Sequence, residues 1–202
     1  MKKRILAAAL MLAVLLTLAA CGKAPEPTPA PTPPPPTDPP APTAPAIATA
    51  DENGNYIFNG GFELTDFTGW TVNNELTEEL DIYTRTTDCY EGVQSLHFYS
   101  GANVVEFSVE QQLKGLEAGS YKLTAYVQGD TAGDENSSVY FYVTVNGQTH
   151  RVDSKLSGYV AWNCAELAGI QIPEGAEVTV GVCVSNAPGG WGTIDAITLV
   201  RE

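Results

Sequence analysis

From residue 95 onward the chain alternates apolar and polar side chains with a period of two. Tyr121–Gln128 ("YKLTAYVQ") sets Tyr121, Leu123, Ala125 and Val127 against Lys122, Thr124, Tyr126 and Gln128. Val139–Val145 ("VYFYVTV") sets Val139, Phe141, Val143 and Val145 against Tyr140, Tyr142 and Thr144. Val178–Ser185 does the same with four valines. The same pattern predicts strands near Ser95–Tyr99, Val104–Gln112, Tyr159–Trp162, Leu167–Ile172 and Thr193–Val200. Asn146-Gly147 between two such runs predicts a type I′ hairpin into "QTHRVDS". No helical stripe and no internal repeat stands out. Many short strands with one buried face predict an all-β antiparallel β-sandwich, a jelly roll.

The polar faces are unusual. A solvated face would carry Lys, Glu and Thr, but here Tyr126, Gln128, Tyr140 and Tyr142 stand opposite the core positions, and His97 and Tyr99 alternate likewise. If these strands share a sheet, its outer face is a wall of phenols with an amide among them. Tyrosine also favours strands on packing grounds alone.

The first 50 residues follow other rules. Lys2, Lys3 and Arg4 precede an uncharged run from Ile5 to Ala20, 16 residues long, short of the roughly 18 expected of a spanning helix. Leu18-Ala19-Ala20-Cys21 resembles a bacterial lipobox, which implies a signal segment at 1–20 and a diacylglyceryl anchor on Cys21. Pro25–Pro45 holds 12 of the 14 prolines and reads as an extended stretch of about 65 Å at about 3.1 Å per residue, within a linker at residues 21–50. These features place the module, residues 51–202, lipid-anchored on the outer face of a bacterial membrane.

Charge narrows the partners. Only Glu26 and Asp38 among 24 acids, but Lys2, Lys3, Arg4 and Lys23 among 10 bases, precede Asp51, which leaves 22 acidic against 6 basic side chains in the module, a net −16. Nucleic acid, anionic lipid and anionic polysaccharide are disfavoured, whereas a neutral glycan and a cation are compatible. Cys89, Cys164 and Cys183 allow one disulfide and a free thiol, or none.

Several phrases carry a resemblance. "NGGFELTDFTGW" (Asn59–Trp70) resembles the opening strand of carbohydrate-binding modules with the galactose-binding-like jelly roll, and "GGWGTIDAITL" their closing strand. "GVQSLHFYS", "GLEAGSYKLTAYVQG" and "GYVAWNCAELAGIQI" resemble internal segments of family 61, whose members occur on secreted endo-β-1,4-galactanases and bind β-1,4-galactan. The resemblance spans Gly54–Arg201. It implies binding of a neutral plant polysaccharide, β-1,4-galactan or a related β-glycan, by a monomeric, non-catalytic module. It also implies a structural Ca²⁺ at Glu63 and Asp195, although the family's Asp-Asp pair is Asp195-Ala196 here.

Sugar recognition needs flat rings against C–H faces and polar groups for hydroxyls. Trp191, between two glycines, is a ligand platform or a plug over the sandwich end. Trp162 is a platform or a packing residue, and Trp70 belongs to the core. Asn186, Gln128 and Arg85 are candidate hydroxyl partners, beside Tyr126, Tyr140 and Tyr142. An enzyme reading lacks support: glycosidases need two carboxyls about 5–9.5 Å apart, and the many acids here form no distinctive motif. A protein-binding adhesion module on the same fold is the other alternative.

Overall fold

The computed structural model describes residues 47–64, 66–74 and 79–202; the signal segment, Cys21 and the Pro25–Pro45 spacer lie outside the described residues. Ten strands follow one another: β1 Thr71–Asn74, β2 Leu80–Tyr83, β3 Ser95–Tyr99, β4 Val105–Leu113, β5 Gly119–Asp130, β6 Ser138–Val145, β7 Gln148–Ser154, β8 Gly158–Ile172, β9 Val178–Asn186 and β10 Trp191–Arg201. They form two five-stranded sheets, β1-β4-β9-β6-β7 and β2-β3-β10-β5-β8, with every pairing between these strands antiparallel. This is the expected jelly-roll sandwich.

The period-two pattern determines which residues meet between the sheets. Val139, Phe141, Val143 and Val145 of β6 lie in the core with Val178, Val180, Val182 and Val184 of β9. Leu123, Ala125 and Val127 of β5 and Leu96 and Phe98 of β3 close on them from the second sheet. Burying a side chain of this size is worth about 1.5–3 kcal/mol, so the alternation alone specifies register strongly. The expected hairpin forms at Asn146 and Gly147, whose φ values of 47° and 82° suit a type I′ turn.

Three expectations need correction, and two short strands went unpredicted. Tyr159–Trp162 and Leu167–Ile172 belong to one 15-residue strand, β8, which stays paired to β5 through two register shifts. Bulges absorb the breaks that read as two strands. The described residues of Asn59–Trp70 form turns and no strand. Asn59 and Phe62 adopt left-handed φ values of 53° and 55°, and the segment docks on the β10 bulge through the Ile197 amide, which donates to the Gly60 carbonyl at 2.9 Å. Phe62 and Trp70 stack at 5.4 Å inside the core, as expected for Trp70. Strands β1 and β2, four residues each, were too short for a periodicity to register. Finally, the tyrosine wall is divided. Tyr126 and Gln128 lie in the second sheet and Tyr140 and Tyr142 in the first, because β6 pairs with β9 and β7 rather than with β5. Cys89, Cys164 and Cys183 are all free thiols.

Candidate functional site

The outer face of the sheet β2-β3-β10-β5-β8 carries the site. Register places Asp81, His97, Thr193 and Gln128 in one row across four strands. The next row on one side holds Tyr99 and Trp191, and the row on the other side holds Tyr126 and Asp195. Tyr83, Arg85, Asp88, His97, Tyr99, Tyr159 and Trp191 line an open groove of about 340 Å³ over this face.

Its walls are aromatic and its floor is polar. Tyr83 stacks on His97 at 3.7 Å with planes 5° apart, and the Arg85 guanidinium lies 5.1 Å from the Tyr83 ring centre. Tyr159, 57 % exposed, faces Trp191 at 6.2 Å. His97 Nδ1 lies 2.6 Å from Asp81 Oδ1. Burial holds the His97 pKa below its ordinary value despite the Asp81 carboxylate, so the ring is neutral at pH 7 and the contact is a hydrogen bond rather than an ion pair. Nδ1–H then donates to Asp81, and Nε2 is left as an acceptor. The groove can therefore pack C–H faces against rings and exchange hydrogen bonds with hydroxyls.

Trp191 owes its place to the glycines beside it. A Cβ on Gly192 would sit 2.2 Å from the Phe98 ring in the core, and one on Gly190 would sit 2.5 Å from the Asn186 amide. The flanking glycines thus admit the protein's own groups, while the indole is left half-buried on the groove side.

Gln128 and Asn186 are fully buried, so neither meets solvent. Asn186 Nδ2 donates to the Asp130 carbonyl at 3.2 Å. Gln128 Oε1 accepts from the Val160 amide at 2.6 Å. Val160 has φ 57°, a strained value for a β-branched residue. The bond therefore holds the bulge that carries Tyr159 up to Trp191. Gln128 Nε2 and Thr193 Oγ1, opposite each other on β5 and β10, are buried with no hydrogen-bond partner among the described residues.

Trp162 and Tyr126 share this sheet but not the groove. Tyr126 stacks on Tyr90 at 3.5 Å, and Trp162 meets Tyr90 edge-on at 5.7 Å. Tyr140 and Tyr142 are on the far side of the molecule. Tyr142 is buried, lies across Gly181 and hydrogen-bonds the Glu110 carboxylate, while Arg151 sits 4.6 Å over the Tyr140 ring.

Glu63 and Asp195 each grip the loop 90–94. Asp195 Oδ2 accepts from the amides of Tyr90 (2.7 Å) and Glu91 (3.2 Å), and its Oδ1 from Ala196 (2.6 Å). Glu63 Oε1 accepts from Val93 (2.9 Å) and Gln94 (3.1 Å). No group of three or more His, Cys, Asp or Glu side chains among the described residues is arranged to hold a metal. Paired amides thus occupy Asp195 Oδ2 and Glu63 Oε1 and make the two carboxylates a loop clamp, while Asp195 Oδ1 takes one amide and Glu63 Oε2 none among the described residues. Burial pushes the Asp195 pKa up to about 7, against the pull of the same amides.

Reasoning from sequence missed Asp81, Tyr83, Tyr90 and Tyr159 as site residues. "LDIY" does alternate Leu80 and Ile82 with Asp81 and Tyr83, a signal four residues long. Nothing local marks Tyr90, which reaches the sheet face from a loop.

Neither the family models scanned nor the curated proteins searched match the chain. Solved structures do. TmCBM61, solved in complex with β-1,4-galactotriose, is 24% identical with a TM-score of 0.65, over 73% of this chain and 99% of that one. The C-terminal family 22 carbohydrate-binding module of Clostridium thermocellum Xyn10B is 16% identical with a TM-score of 0.51, over 75% and 96%. The enzymatically active domain of bacteriophage CBA120 tailspike protein 4 is 12% identical with a TM-score of 0.57, over 74% of this chain and 22% of that one. The chain has the jelly-roll fold of carbohydrate-binding modules, as the sequence phrases implied, and an enzyme contains a similar sandwich.

Proposed function

We propose that the module binds a neutral polysaccharide without hydrolysing it, in the groove lined by Tyr83, Tyr99, Tyr159 and Trp191. The observation that carries this reading is an open, ring-walled groove, with His97 and the oppositely charged Arg85 and Asp88 in its lining, on a fold that TmCBM61 shares. The substrate class is a β-1,4-galactan or a related β-glycan, the class suggested by the galactotriose in TmCBM61. A net −16 over residues 51–202 would repel polyanions. Glu63 and Asp195 serve as a clamp in this reading, with their carboxylates turned to amides rather than to a bond awaiting cleavage. The module is tethered through Cys21 and its proline spacer at the outer surface of a bacterial cell. Several copies would then grip one polymer, and weak single sites would add.

The test is calorimetry or affinity electrophoresis on soluble galactan with the wild type and Trp191→Ala. Covering about 60 Å² of apolar surface is worth about 1.5 kcal/mol, roughly tenfold in affinity. A loss of that size or more is expected. Equal retention of the two proteins would remove Trp191 from the site, and a wild type that binds no soluble neutral glycan would overturn the function.

A further inference from the structure

On the same sheet face as the groove stands a second group of rings. Tyr90 touches both Tyr126 and Trp162, and none of the three lines the groove. Tyr126 is level with Asp195, and Trp191 is level with Asp130, so the two ring groups are four residues apart along β5. At about 3.3 Å per residue they are separated by about 13 Å.

Three features distinguish this group from ordinary packing. Tyr90 is 43 % exposed although it lies flat on Tyr126 and against Trp162. Its backbone is held rigidly, since Asp195, itself fully buried, accepts from its amide. Glu63 fixes the same loop three and four residues on, at Val93 and Gln94. The tyrosines of the opposite sheet are used differently: Tyr142 is turned down onto Gly181 and Tyr140 is covered by Arg151. A loop pinned by two carboxylates so as to leave a phenol in water, edge-on to an indole, is a pre-organised apolar surface of the kind a sugar ring covers.

We propose that Tyr90, Tyr126 and Trp162 form a second platform for the same neutral glycan, so that the ligand is the interior of a chain long enough to cover both ring groups. This rests on the groove being a glycan site. The occupant follows from continuity: a linear chain lying on Trp191 and directed along β5 and β10 arrives at Tyr90. Short oligosaccharides fill one platform only, and longer ones gain from both.

The experiment is titration calorimetry of β-1,4-linked galactose oligomers of increasing length against wild type, Tyr90→Ala, Trp162→Ala and Trp191→Ala, with thermal melts of each. Wild-type affinity should climb with length until both platforms are covered. Tyr90→Ala and Trp162→Ala should flatten that climb, losing about tenfold on the longest oligomer and under twofold on the shortest. Trp191→Ala should lose affinity at every length. Should Tyr90→Ala and Trp162→Ala fold and keep the wild-type length dependence, the second platform is wrong while the groove stands. Binding of no oligomer by the wild type would overturn both. If Tyr90→Ala unfolds, Tyr90→Leu, which keeps bulk but no flat ring, decides the question by the same length series.

Discussion

The two outer faces of the sandwich carry similar residues and use them differently. On β1-β4-β9-β6-β7, Glu110, Gly181, Tyr142 and Arg151 form one row. There the tyrosine lies over the glycine to reach the carboxylate, and its neighbour Tyr140 lies under the arginine. Rings, amides and charges satisfy one another and leave a closed surface. On β2-β3-β10-β5-β8, the rings stand apart around a groove, and Thr193 Oγ1 and Gln128 Nε2 are buried without partners among the described residues. An aromatic residue on a strand is thus no sign of a ligand by itself. What distinguishes the binding face is that its rings are held up by something else: Trp191 by the glycines around it, Tyr159 by Gln128, Tyr90 by Asp195.

The largest effect comes from the glycine each face depends on. Gly192→Ala drives a methyl to 2.2 Å from the fully buried Phe98 ring, which has nowhere to move, and about 3 kcal/mol of stability should be lost together with glycan retention. Gly181→Ala meets Tyr142 at 2.7 Å and the Val109 carbonyl at 2.8 Å. It should cost about 2 kcal/mol in denaturant titration and leave glycan affinity unchanged in the folded protein. If folded Gly181→Ala also fails on galactan columns, the two faces are not independent.

This asymmetry was only half legible in the sequence. Alternation identified the core side of β4, β5, β6 and β9, because one buried face leaves a mark at every second residue. It could not say which strands are neighbours, so Tyr126 and Tyr140 read as one wall although they face opposite ways. Trp191 was marked by its glycines, yet their reason, Phe98 and Asn186 pressing from within, is a long-range fact. Gln128 was read as a partner for a ligand's hydroxyls, yet it is fully buried. Its work is internal, because the partner that matters, Val160, sits on a bulge that no period reveals.

Gln128 offers a mid-sized test of whether the binding face is held up from beneath. Gln128→Leu strands the Val160 amide and should cost about 1–3 kcal/mol. It should also change the Trp191 fluorescence of the free protein, since Tyr159 would no longer be held against it. Gln128→Glu keeps an oxygen where Val160 donates and should restore the spectrum. A Leu variant with wild-type fluorescence and galactan affinity would show that Tyr159 stands without this support.

Smallest over a single unit of pH is a slope in stability, and it concerns how Tyr90 is supported. Asp195 has a folded pKa of about 7, above its ordinary 3.8. Between those values the folded state binds the extra proton, so stability should fall as pH rises from about 4 to 7, by at most about 1.4 kcal/mol per unit. His97 acts in the opposite sense. Its pKa is lowered by burial, so the unfolded state takes the proton first and stability should fall as pH drops below about 6.5. Asp195→Asn should remove the first slope and expose the second, and His97→Gln should do the reverse. A calcium ion on Asp195 would hold the carboxylate ionised and abolish its slope. The clamp reading therefore expects melting curves in EDTA and in excess calcium to coincide across this range. Separation of the two sets at pH 7 would return Glu63 and Asp195 to the role of metal ligands, with Tyr90 then positioned by the ion.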